Sequence, residues 1–164
     1  MKKNPSMIDI EYLIPLFLCF AFTQYTLFNN DNLYGVNICN NNSLCNMKFA
    51  LKKCNDTDNW SIHGLWLDYS NGSYPQFCSK MKFDYIPSDL DKNMKKNWYS
   101  CNGDDKSFWN HELQKHGSCI RDYIIDDLDS NTYFDNTIKL FYGMQSIIDY
   151  TCKGNNETCL INLK

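Results

Sequence analysis

The sequence predicts an α+β domain, in which an antiparallel sheet packs with several helices and disulfides staple the whole. Three observations carry that prediction. Strand-like and helical stretches follow one another without the regular βα alternation that a parallel sheet requires. Nine cysteines among 164 residues become eight once a short N-terminal apolar block is set aside, and an even number fits a disulfide framework. A composition of 43% apolar, 15% aromatic and 21% charged residues suits a chain that buries one core and opposes disorder. The lack of a repeat, heptad or long apolar run argues against a solenoid, coiled coil or membrane protein.

At the N-terminus, Lys2 and Lys3 precede an apolar block from Tyr12 to Phe22. The block is too short to span a bilayer, which takes about 20 residues, and it suits the core of a secretory signal peptide. Ala21 and Thr23 supply small residues for a cut after Thr23, so residues 1–23 are expected to be the signal and 24–164 one domain. Pro15 opposes the alternative, a buried N-terminal helix. The cut removes Cys19 and leaves Cys39, Cys45, Cys54, Cys78, Cys101, Cys119, Cys152 and Cys159. Eight cysteines allow on the order of 100 pairings, so the connectivity stays open, although Cys39 with Cys45 and Cys152 with Cys159 could close small loops. Asn-x-Ser/Thr signals at Asn41, Asn55, Asn59, Asn71 and Asn156 agree with secretion, Asn59 lying against a predicted strand. The expected protein is a secreted monomer, or one of a lysosome- or vacuole-like compartment, with no membrane attachment once the signal is gone. Its net charge of −3 argues against broad, non-specific nucleic-acid binding and leaves room for a local cationic site.

The elements follow in order. The mature chain opens on a loop-rich, Asn-rich stretch. Asn59 to His63 alternates like a strand that ends at Gly64, and Asp68 to Pro75 is dense in turn residues. Ser88 begins a helix with Asp91 three residues on and apolar positions at Leu90, Met94 and Trp98. Ser107 is the expected N-cap of a second helix that runs to about Cys119 and stops near Gly117. A third runs from about Thr132 to Asp149, its apolar stripe formed by Phe134, Ile138, Phe141 and Ile148. The tail, Cys159 to Lys164, reads as a short strand.

All three histidines lie in two short motifs, SIHGLWLD (61–68) and FWNHELQKHGSC (108–119). At about 100° per residue on a helix, with His111 at 0°, Lys115 falls near 40°, Glu112 near 100° and His116 near 140°, one shared sector. The bland reading is a solvated helix face with an ordinary Glu–Lys pair. A zinc site fails on spacing: the histidines of HELQKH are five apart, and Lys115 stands where a ligand belongs. No G-x-S-x-G supports a serine hydrolase. What remains is a metal-free, cofactor-free acid–base site of two imidazoles with a cation and a carboxylate, suited to phosphoryl transfer.

The two segments closely resemble the active-site segments of the ribonuclease T2 family of secreted acid ribonucleases, over about residues 34–148. The resemblance implies that His63 and His116 form the acid–base pair, His116 as base for the 2′-OH and His63 as acid for the 5′-oxygen. It implies that His111 contacts phosphate and that Glu112 and Lys115 support the pentacoordinate transition state. Trp66, Asp68 and Tyr74 match a base pocket and Phe108 a second base site, with core packing the alternative for Trp66 and Tyr74. The implied reaction is endonucleolytic cleavage of single-stranded RNA, not DNA, through a 2′,3′-cyclic phosphate. The pairings Cys54–Cys101 and Cys78–Cys119 are implied in the same way. Four departures stand out: Leu33-Tyr34-Gly35 replaces Gln-Trp-Pro, Leu67 replaces Pro, Leu113 replaces Trp, and the C-terminal part is shorter than in the family. The last keeps open an alternative, a non-catalytic binding or storage protein on the same scaffold.

Overall fold

Met47, Phe49 and Leu51 alternate with Lys48, Ala50 and Lys52, the two-residue period of a strand with one face on a core. The computed structural model describes residues 44–54, 57–154 and 157–163. In it this stretch is strand β1 (Leu44–Lys52), in a region that the Asn-rich composition marked as loop. β1 pairs antiparallel with β2 (Ser61–Tyr69) on one side and β3 (Thr158–Leu163) on the other, giving the order β2-β1-β3. The predicted strand in the tail is therefore present. It pairs along β1, with Phe49 opposite Ile161 and Leu51 opposite Cys159.

β2 does not stop at Gly64 but continues through it to Tyr69, taking Asp68 and Tyr69 from the predicted turn. Its apolar residues Ile62, Leu65 and Leu67 do not share one parity, and a bulge reconciles them. Leu51 faces Ile62 while Ala50 faces Gly64, leaving His63 as the extra residue. Ile62, Leu65 and Leu67 then all join Phe49 and Leu51 in the core.

Helix α1 (Ser88–Asn97) begins where predicted and buries Leu90 and Met94, but its N-cap is Pro87 and no side chain caps it. Helix α2 (Asp105–Glu112) is capped by Asp104, whose carboxylate accepts from the Ser107 amide, so Ser107 is the capped residue and not the cap. The helix does not stop near Gly117. It widens into a π turn (Leu113–Gly117) and resumes as α3 (Ser118–Tyr123). Gly117 is needed for contact: a Cβ there would stand 3.3 Å from the Tyr133 ring and 3.2 Å from Leu113. The long third helix divides at Met144 into α4 (Ser130–Gly143), capped by Asp129, and α5 (Gln145–Thr151). Its predicted stripe is buried as expected, with Phe141 edge-on to Phe49 of β1.

Three disulfides tie the described elements: Cys54–Cys101, Cys78–Cys119 and Cys152–Cys159. The last fastens β3 to the end of α5. The architecture is α+β, an antiparallel sheet with helices, as the sequence predicted. No helix among the described residues is long and apolar enough to cross a membrane. Residues 1–23, Leu33-Tyr34-Gly35, Cys39, Asn41, Asn55, Asn156 and the Cys45 side chain lie outside what the structure describes.

Candidate active site

Both histidine motifs arrive at one place because β2 packs against the π turn. The approach is close: a Cβ on Gly64 would lie 2.2 Å from Glu112 Oε2 and 2.5 Å from the Trp66 indole nitrogen. Glycine inside this strand is therefore a requirement of contact between the two segments.

Glu112 is buried at their centre. Its Oε2 accepts from the Trp66 Nε1–H at 2.9 Å, and its Oε1 lies 3.6 Å from His63 Nε2. His116, also buried, stacks on Trp66 with ring centroids 5.0 Å apart. His63 stands edge-on to Trp66 at 5.1 Å and to Phe108 at 5.4 Å. Tyr74 lies 6.1 Å from His116, and Lys115 Nζ is 5.8 Å from the Tyr74 ring centre. His111 is exposed at the rim. The eight residues His63, Trp66, Tyr74, Phe108, His111, Glu112, Lys115 and His116 thus form one cluster.

Asp68 is the residue set apart. It is buried near the end of β2 and ion-paired with Lys48 on the neighbouring strand, so its carboxylate already has a partner. The pairing is diagonal, since Lys48 sits opposite Trp66 and two positions along from Asn46, the residue opposite Asp68.

Burial dominates the electrostatics. It pushes the Glu112 carboxyl up to about 7, against the Trp66 hydrogen bond and the Lys115 charge, which favour the anion. Burial also brings His63 down to about 4, with the charges of Lys52, His111 and Lys115 acting in the same sense. His116 falls to about 3, first through burial and then through Lys115, His111 and His63. His111 is lowered by burial and by Lys115. The free site therefore holds two neutral imidazoles able to take protons, beside a carboxyl that changes charge near neutrality. His116 Nδ1 is buried without a hydrogen-bond partner among the described residues.

Four contributors escaped the sequence. Lys48 and Lys52 sit in a strand that was not predicted. Gly64 was read as a strand end, although a lone glycine within an alternating pattern also signals close approach. Phe77 gives no sequence signal, because its place beside His111 depends on its backbone conformation.

A sequence model of the family described as Ribonuclease T2 family matches residues 25–150. Ribonuclease T2 of Aspergillus oryzae is 38% identical over 107 residues, covering 55% of this chain and 38% of the relative. Ribonuclease DdI of Dictyostelium discoideum is 36% identical over 100 residues, covering 60% and 44%. The chain spans less than half the length of these two relatives. Among solved structures, ribonuclease MC1 from bitter gourd seeds superposes with a TM-score of 0.53 at 22% identity, covering 68% of this chain and 65% of that one. That likeness is one of fold.

Proposed function

The chain belongs to the ribonuclease T2 family, and from that premise we propose that it is an endoribonuclease that cleaves single-stranded RNA by acid–base catalysis without a metal. The observation that carries the reading is the convergence of His63, Glu112 and His116 around the Trp66 indole, from segments some fifty residues apart.

His116 takes the proton of the attacking 2′-OH. It is free to accept a proton because burial first, and then the charge of Lys115, keep its ring neutral. The 2′-oxygen attacks phosphorus, the P–O5′ bond breaks, and a 2′,3′-cyclic phosphate forms. His63 donates the proton that the leaving 5′-oxygen collects. Its carboxylate neighbour at 3.6 Å can hold it protonated once substrate phosphate adds negative charge. Lys115 and His111 face the phosphoryl oxygens, and Lys115 offsets the charge of the phosphorane. DNA lacks the nucleophile. Trp66 and Tyr74 stack one base and Phe108 the other, while Asp68 reads an edge only when it exchanges Lys48 for a base amino group.

A secreted, monomeric enzyme with residues 1–23 as its signal fits the three disulfides, which belong to oxidising compartments. Asn71 and Asn59 are both exposed, as glycan acceptors must be. The test is release of acid-soluble nucleotides from RNA with EDTA present. Turnover is expected, with loss of a thousandfold or more in His63→Ala and His116→Ala. Folded protein without turnover would favour the binding or storage alternative, and activity abolished by EDTA would refute the mechanism.

A further inference from the structure

Phe77 is held in a conformation that aromatic residues seldom adopt. Its φ is +51°, in the left-handed region that glycine and asparagine favour. The loop has no freedom to relax there. The Phe77 amide donates to the Lys115 carbonyl at 3.0 Å, the Cys78 amide donates to Ser118 Oγ at 3.1 Å, and Cys78 is bonded to Cys119. All three anchors belong to the segment that carries Lys115 and His116.

The ring is turned outward. Phe77 is 57% exposed and stands edge-on to His111 at 6.2 Å, while Tyr74, earlier on the same loop, is 47% exposed and accompanies Lys115. Folding alone does not account for a phenylalanine here, since the core does not use the ring and glycine would relieve the backbone. A pinned, solvent-facing aromatic on the loop that packs against the Lys115 segment is instead the arrangement that stacks an unpaired base.

We propose that Phe77 is a stacking platform for a third base of a single-stranded RNA, the nucleotide that lies beyond Tyr74 and outside the cleaved step. The proposal rests on the ribonuclease reading. With Trp66 and Tyr74 taking one base of the cleaved pair and Phe108 the other, Phe77 extends the first side along the loop. Phe77 then makes the enzyme prefer chains longer than a dinucleotide.

Binding of uncleavable 2′-O-methyl RNA separates this from turnover. Phe77→Gly, which suits the observed φ, should weaken binding of a six-nucleotide strand by about 10-fold and leave a dinucleotide unchanged, while Phe77→Trp should restore it. Equal loss on both lengths, or hexamer binding that does not depend on residue 77, overturns the proposal. Wild-type protein that binds the hexamer through Phe77 yet cleaves no ordinary RNA sinks the ribonuclease reading and leaves the stacking site standing.

Discussion

The Trp66 indole donates a 2.9 Å hydrogen bond to the buried carboxylate of Glu112. It joins a residue of β2 to the last residue of α2 and sets the carboxylate against His63. The same indole is the surface on which His116 lies.

Trp66→Phe separates these two tasks. The phenyl ring still stacks, but the carboxylate loses a buried donor, a loss of about 1.5–3 kcal/mol. Because that hydrogen bond favours the anion, Glu112 should ionise at still higher pH in the variant. The pH–rate profile on RNA is expected to shift upward where Glu112 titrates, with at least a 10-fold fall in kcat. An unshifted profile would mean that only the ring matters.

Stability should depend on pH in two opposing ways. Glu112 rises from 4.5 to about 7 on folding, so its contribution is present below pH 4.5 and lost as pH rises through 7. His63 and His116 fall from 6.5 to about 4 and 3. The unfolded chain then binds more protons below pH 6.5, and stability drops as pH falls through 4 and 3. Glu112→Gln removes only the first effect. Relative to wild type, its unfolding free energy should improve by roughly 2–3 kcal/mol between pH 4.5 and pH 8. Equal offsets at both values in urea unfolding would contradict the burial argument.

The Cys78–Cys119 bond holds the Tyr74–Phe77 loop on the segment bearing Lys115 and His116. Replacing both cysteines by serine opens a loop with a sequence separation of 41 residues, and the chain-entropy estimate is about 4 kcal/mol. In protein still folded at low temperature, KM for RNA should rise more than kcat falls, because the loop carries the exposed aromatics Tyr74 and Phe77, here proposed to stack bases. Equal changes in both would place the loop in the chemistry itself.

Much of the site could be read in the sequence because short motifs confine it. His111, Glu112, Lys115 and His116 lie within six residues, and any helical turn gathers them. The helix limits were less legible. Gly117 carries the usual mark of a helix end, yet it is small because the Tyr133 ring packs on it. β1 was hidden because the cysteines and asparagines around it read as loop, although Met47, Phe49 and Leu51 alternate correctly. Ser107 was mistaken for a cap because the residue that holds its amide, Asp104, looks like any loop aspartate.

The sequence alone determined the α+β class, the two segments that form the candidate site and their resemblance to one family. These are properties of residue type and spacing, which survive without coordinates. Tertiary structure decided the rest. The bulge at His63 aligns Ile62 with Leu65 and Leu67 in the core while the histidine meets Glu112 and Trp66, and a register depends on the partner strand. Glu112 titrates near neutrality because β2 closes over it, and Asp68 is set apart because Lys48 crosses to it from β1. Burial and cross-strand pairing are relations between distant segments, and no local pattern encodes them.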